Sequence, residues 1–488
     1  MDTEREKEST LGDAECRRAS GTTNARDLSQ ESQLSHSPPL TFRSSGLVPP
    51  AEREMLLDAP RPRRALPLAT ASQARVRRLP LLDQARPKDR QFRPNFAIWE
   101  LTLACDLACR HCGSRAGQAR PDELTTREAK DLVIQMRDLG VKEVALIGGE
   151  VYLHDGWTEV VREIRRYGMQ STLVTGGRGM TPERARAAKD AGVESVAVSI
   201  DGAEATHDRL RGLRGSYAAA VQALRNCRDA GLDVAVNTQV CRLNVHELGH
   251  VFERLVEARA HGWQVQLTVP VGRAADEPEV LLQPYDLLVL FPILAELKSR
   301  CDAANIKMLA GNNVGYYGPY EHVLRSYCKS GHGESCQAGR LTLGIESNGD
   351  IKGCPSLPTE SWVGGNIRQH SLRDIWERTK PLRHMRDRTT DELWGYCKDC
   401  YYADGCRAGC TWMTTALFGR PGNNPYCHHR ALEMQRQGKR ERVARVSEAP
   451  GLPFDCARWE LIVEDDASKR VSLESTDSDH LNVENAHD

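Results

Sequence analysis

Most of the sixteen cysteines of this 488-residue chain fall in two spaced arrays, and the first array constrains the fold most. Cys105, Cys109 and Cys112 form a C-x3-C-x2-C triplet just past the apolar run Phe96-Ala97-Ile98-Trp99-Glu100-Leu101-Thr102-Leu103. Three thiolates are one too few to close a four-iron cube, so a [4Fe–4S] cluster held there keeps one iron open to a small molecule, as a catalytic metal site keeps a free position. Short cysteine spacings also occur in zinc sites, so the residues that follow the triplet decide the reading.

Those residues are periodic. From about residue 95 to 305, short Val-rich runs alternate with amphipathic stretches, the pattern of successive β-α units around a parallel sheet. Strands are expected at 96–103, 141–147, 170–175, 193–200, 232–240 and 263–269, with helices such as 128–139 and 217–230 between them. Thr125-x-x-Glu128 reads as a capping box, and Thr181-Pro182 places an N-cap before a proline at the first helical position. In parallel α/β folds the C-terminal strand ends carry the chemistry. The triplet, Gly148-Gly149-Glu150, Thr175-Gly176-Gly177 and Ser199-Ile200-Asp201 all fall at such ends.

A 40% hydrophobic chain of this length supports two or three domains, and its net charge of −1 gives no global field for nucleic acid. The polar N-terminus lacks an apolar signal region and no apolar run approaches membrane-spanning length, so a cytoplasmic protein without a membrane partner is expected. In a reducing compartment, clustered cysteines bind metal or do redox chemistry rather than form disulfides. Residues 1–90 read as a disordered extension, arginine-rich from 53 to 93, in which no folded leader-peptide-binding domain is visible. The barrel-like repeat takes 91–310 and a cysteine-rich domain 311–430. The remainder, 431–488, reads as helical over 430–445 and then as a mobile acidic tail from about 448, with Glu464, Asp465, Asp466, Asp477 and Asp479.

The second array spans the cysteine-rich domain. Cys336-x12-Gly349-x4-Cys354 is followed by Cys397-x2-Cys400-x5-Cys406-x3-Cys410 and then Cys427. A pair of zinc sites is one reading of such spacing. Cys16, Cys227, Cys241, Cys301 and Cys456 lie outside both arrays, and Cys227, Cys241 and Cys301 are most simply small buried hydrophobes.

Taken in order, the triplet and the strand-end motifs resemble the radical S-adenosylmethionine (radical SAM) superfamily, and the second array resembles its C-terminal SPASM extension. The resemblance implies an α/β fold: a partial (β/α)6 TIM-like barrel followed by a small cysteine-rich SPASM domain. It implies that the open iron of the Cys105/Cys109/Cys112 cluster binds SAM and donates an electron, yielding methionine and a 5′-deoxyadenosyl radical that abstracts hydrogen from the substrate. Gly148-Gly149-Glu150 matches the GGE motif, with Glu150 accepting from the SAM ammonium, although Val151 stands where typical members have proline. Ser199 and Asp201 match the ribose contacts, Thr175 opens the segment where relatives show Thr-Asn-Gly, and Asn237 is a further SAM contact. His111 occupies the place of an aromatic residue that packs on adenine.

For the SPASM array the resemblance implies two auxiliary [4Fe–4S] clusters. Cys336, Cys354 and Cys410 would hold the first, with Cys328 as fourth ligand or with that iron left open to substrate. Cys397, Cys400, Cys406 and Cys427 would hold the second. The implied function is an oxidoreductase-like maturase acting on a peptide or protein, a ribosomally synthesised precursor first among them. It would need an electron donor such as flavodoxin or ferredoxin, and a separate leader-peptide-binding protein is a further implied partner. A sulfatase-maturing, formylglycine-forming type is an alternative, but Pro355 stands where those relatives carry aspartate after the cysteine matched by Cys354. A non-catalytic iron–sulfur electron carrier and a zinc-binding module are alternatives of another class; neither needs Gly148-Gly149-Glu150 or Ser199-Ile200-Asp201. No general base is assignable from the residues alone.

Overall fold

The computed structural model describes residues 82–328, 332–333 and 335–466. Seven strands follow one another across a parallel sheet: β1 (Phe96–Glu100), β2 (Glu143–Ile147), β3 (Gln170–Thr175), β4 (Ser195–Ser199), β5 (Asp233–Val240), β6 (Gly262–Leu267) and β7 (Lys307–Ala310). Each crossover moves one place in the same direction, and a repeated right-handed crossover of this kind winds a barrel, here left open. The six expected strands are present with ends shifted by a few residues, and β7 extends the series.

The other edge of the sheet belongs to the cysteine-rich domain. β8 (Thr342–Ile345) pairs in parallel with β1, and β9 (Asp350–Lys352) and β10 (Gly365–Asn366) continue it in antiparallel fashion, giving a single 10-stranded sheet. One apolar core therefore runs through both parts, from Leu132, Val198 and Trp263 in the barrel to Ile345, Trp376 and Met413 beyond it.

The local signals that start the helices are realised. Thr125 and Glu128 form both halves of a capping box on the helix Thr126–Leu139, and Thr181 caps Pro182–Ala191. The stretch Pro278–Ala303 is long and apolar enough to cross a bilayer (mean hydropathy 1.6), where no such run was expected. It is a core segment, however: 67% of its most apolar window is buried, with Leu287, Leu290, Phe291 and Leu294 fully enclosed.

Two expectations at the ends need correction. The helix expected over 430–445 is His428–Arg436, which stops at Gly438 (φ +69°) and gives way to β11 (Lys439–Ser447), paired antiparallel with β12 (Arg458–Asp465). Glu441 and Val443 are buried two residues apart, a strand period that the many arginines masked. The chain from 448 to 466 is thus a hairpin loop and strand rather than a mobile tail, and Glu464 pairs with Arg440 and Arg442 across it. At the other end, residues 82–90 are docked: fully buried Asp89 accepts from Arg86 at 2.6 Å and lies 3.1 Å from Arg383 and 3.2 Å from Arg386. The extension through residue 81, with Cys16, and the acidic residues Asp477 and Asp479 lie outside the described residues.

Candidate active site

Strand ends β1 to β5 surround a cleft with an empty volume of about 960 Å³. Cys105, Cys109 and Cys112 line it together with His111, Gly148, Gly149, Glu150, Thr175 and Ser199. Each sulfur has a donor: Leu107 N–H at 3.4 Å from Cys105, Ala116 N–H at 3.4 Å from Cys112, and Arg211 Nη1 at 3.8 Å from Cys109. Burial first, and then the neighbouring carboxylate and thiols, pushes Cys105 up to about 12. Three crowded sulfurs, each already facing a donor and two of them, Cys105 and Cys109, raised by burial, fit a cationic metal centre that holds them as thiolates. The residues present thus fit a cluster at this place.

The glycines are dictated by packing. A Cβ on Gly149 would stand 2.0 Å from Ala104 O and one on Gly148 2.4 Å from Thr102 O, so β2 can pass this close to the cysteine loop only with glycine. The turn delivers Glu150, 1% exposed, whose carboxylate accepts from Thr175 Oγ1 and Gly176 N–H, both at 2.6 Å. Burial lifts this carboxyl to about 7 against those two hydrogen bonds. Its ligand atoms and those of Cys105 and Asp106 lie within 4.8 Å of one another, so an ammonium or metal beside Cys105 meets a carboxylate. Val151, in place of the usual proline, opens a short 3-10 turn Val151–Leu153 and is fully buried.

Asp201 and Asn237 are not among the cleft-lining side chains. Asp201 is fully buried and bound to Arg211 at 2.7 Å, to Gln239 N–H at 3.0 Å and to His111 Nε2 at 3.4 Å. On β5 it is Gln239, two residues beyond Asn237 on the same face, that reaches the cleft. His111 is buried, and burial pushes its imidazole down to about 4, so a neutral ring faces the cleft.

Among the cleft residues that sequence reasoning missed are Glu100, Arg211, Gln239, Arg273, Trp412 and Phe454. Arg211 had a signal, since it lies one helical turn after His207 on the helix Glu204–Arg211 that follows Asp201. Trp412 and Phe454 had none, because they arrive from the C-terminal domain and from the loop of the β11–β12 hairpin. Phe454 covers the ammonium of fully buried Lys352 at 3.9 Å. Lys352 in turn pairs with Glu346 at 2.8 Å, and Arg120 joins Glu346 at 3.1 Å to Glu100 at 3.0 Å.

The second array separates into two groups. Cys397, Cys400, Cys406 and Cys427 line one cavity with an empty volume of about 380 Å³, walled by Tyr316, Tyr317, Tyr396 and Tyr402. Cys336, Cys354 and Cys410 form the other group: burial first, and then Cys336, pushes Cys354 up to about 11, and burial with Cys336 and Cys354 beside it raises Cys410. Cys406 and Cys410, four residues apart, thereby face different groups. Cys328 is half-buried. Cys227, Cys241 and Cys301 are buried as expected, and Cys456 joins Val271 in an isolated bridge.

A parallel open barrel with an incomplete cysteine triplet at its strand ends, joined to a domain with seven further clustered cysteines, is an iron–sulfur enzyme that binds a co-substrate at the open iron. The description "Radical SAM superfamily" matches residues 99–255, and "Iron-sulfur cluster-binding domain" (SPASM) matches 336–401. The AdoMet-dependent heme synthase of Methanosarcina barkeri is 31% identical over 69% of this chain and 97% of its own length. The mycofactocin maturase MftC of Mycobacterium ulcerans is 31% identical over 72% and 93%, and the PqqA peptide cyclase of Methylocella silvestris 29% over 67% and 86%. Among solved structures, Streptococcus suis SuiB bound to S-adenosylmethionine superposes with a TM-score of 0.55 at 15% identity, covering 70% of this chain and 77% of that one. The chain belongs to the radical SAM superfamily, in the group whose barrel is followed by a SPASM domain.

Proposed function

We propose that this radical SAM enzyme modifies a peptide or protein, foremost a ribosomally synthesised precursor peptide. The observation that carries the reading is the shared wall of the cleft: Ser356 and Trp412 from the C-terminal domain and Phe454 from the hairpin complete a space begun by the barrel. Relatives named as a mycofactocin maturase and a PqqA peptide cyclase support it, as does the fold shared with a SuiB structure bound to its precursor peptide SuiA.

Bound cluster and SAM supply one-electron cleavage of SAM and hydrogen abstraction from an unactivated carbon. This chain's own residues orient and enclose. Cys105, Cys109 and Cys112 hold the SAM cluster, Glu150 takes the SAM ammonium, Ser199 faces the ribose with Asp201 behind it, and the neutral ring of His111 packs on adenine. Thr175 fixes Glu150, and Asn237 lies one step outside the contact made by Gln239. Cys336, Cys354 and Cys410 hold one auxiliary cluster, with Cys328 as its fourth ligand; Cys397, Cys400, Cys406 and Cys427 hold the other. A flavodoxin or ferredoxin supplies electrons in the cytoplasm, and a separate protein presents the leader peptide.

A second reading, haem synthesis, is favoured by the relative of that name matched over 97% of its length. Anaerobically reconstituted enzyme, given SAM and dithionite, is assayed for 5′-deoxyadenosine with peptides encoded beside its gene and, separately, with porphyrins. A mass change in a peptide, with 5′-deoxyadenosine formed in step, is the expected result. Turnover of a porphyrin and of no peptide would replace this reading with the second.

A further inference from the structure

The matches to family models end at residue 401, yet the β11–β12 hairpin grips the loop that carries Cys112. Phe454 N–H donates to Gly113 O at 3.0 Å, and Gly272 N–H donates to Asp455 O at 2.9 Å. The approach is close enough that a Cβ on Gly272 (φ +59°) would stand 2.2 Å from Gly113 O. Asp455 Oδ1 accepts from Arg115 Nε at 2.9 Å, while Arg115 Nη1 reaches Asp276 Oδ2 at 2.6 Å and Nη2 reaches Gly272 O at 2.9 Å. The other oxygen of Asp455 accepts from Gly451 and Leu452 N–H, so the carboxylate is fixed before it meets Arg115.

Arg115 needs such a grip. It sits at φ +52°, a left-handed conformation that a non-glycine side chain disfavours by roughly 1–2 kcal/mol. That turn aims Ala116 N–H at the Cys112 sulfur, 3.4 Å away. Hydrogen bonds to a cluster thiolate stabilise the more negative, reduced state and so raise its potential.

We infer that Asp455 is a positioning residue for the SAM cluster: through Arg115 it holds the turn that delivers Ala116 N–H to Cys112, so the C-terminal hairpin sets that cluster's potential and retention. The inference holds whatever the substrate, and its test uses none.

The full chain is reconstituted anaerobically as wild type, Asp455→Asn, Arg115→Lys, the double variant, and Glu464→Gln, which breaks only the surface pairs of the same hairpin with Arg440 and Arg442. The midpoint potential of the electron paramagnetic resonance signal that shifts on adding SAM is measured, along with iron lost to a chelator. Asp455→Asn and Arg115→Lys each lower the midpoint and speed iron loss from this cluster alone. The double variant moves no further than either single one, and Glu464→Gln stays at the wild-type value. An unchanged midpoint in Asp455→Asn, or iron lost equally from every cluster at a wild-type midpoint, would overturn it. Should one single variant fail to accumulate, the other decides alone by the same midpoint criterion.

Discussion

Arg211 closes on Asp201 with two nitrogens at 2.7 Å and turns its third toward the Cys109 sulfur at 3.8 Å. The aspartate expected on a ribose is thus a buried strut between β4, β5 and the cysteine loop. Burial would lift its carboxyl, but Arg211 and then the histidines outweigh this and hold it below the ordinary range. Being depressed in the folded state, it contributes stability above the ordinary aspartate value, which is lost as pH falls through its lowered one.

Arg211→Met removes one partner of this pair and leaves the other charge buried. A loss of about 3–5 kcal/mol is expected in denaturant unfolding, and Asp201→Asn, which strands the buried Arg211 guanidinium instead, should cost a similar amount. Losses below about 1 kcal/mol in both variants would show that the pair is not acting as a buried ion pair.

Gly149→Ala tests the close approach of the GGE turn. A Cβ 2.0 Å from Ala104 O has backbone, not a flexible side chain, in its way. A loss of at least about 2–3 kcal/mol and failure to load iron at the triplet are expected. Wild-type iron content and melting temperature in this variant would contradict the geometry.

Asp286 offers a pH signature from a group that belongs to neither cysteine array. It is 1% exposed, accepts from Gln283 N–H at 2.8 Å, and lies 3.7 Å from Arg242 Nε, beyond hydrogen-bond reach. Burial pushes its carboxyl up to about 6. A raised carboxyl favours the fold below the ordinary value near 4, and that contribution is lost as pH rises through 6. Asp286→Asn keeps the acceptor without the charge, so its melting temperature should gain more at pH 8 than at pH 5, with a ceiling of about 3 kcal/mol. A larger gain at pH 5 would reverse the sign and refute this account.

The two cysteine groups of the C-terminal domain predict separable losses of iron. Replacing Cys105, Cys109 and Cys112 together should lower about twelve irons per chain to about eight and abolish SAM cleavage. Replacing Cys397 or Cys410 should spare some uncoupled cleavage but stop product formation, and should deplete different clusters, resolved by Mössbauer spectra. Bound zinc in place of the eight irons would mean that the second array is structural.

Local and periodic signals were legible because they are local. Thr125 and Glu128 lie three residues apart on one turn, the Val-rich runs repeat at β-α spacing, and Gly148-Gly149-Glu150 sits directly after its strand. The hairpin was misread for the same reason: in Lys439–Ser447 the arginines suit a helix surface as well as a strand, and only pairing with Arg458–Asp465 selects the strand.

The sequence by itself determined the cysteine spacing, the succession of β-α units and the place of the candidate chemistry at the C-terminal strand ends. Tertiary structure alone decided that Asp201 turns inward to Arg211, that Gln239 rather than Asn237 meets the cleft, that Trp412 and Phe454 complete it, and that Asp455 meets Arg115. Asp455 lies 340 residues from Arg115, and no spacing rule reaches that far. Contacts of that range exist only after the sheet has closed its loop entropy and the shared core has fixed both ends.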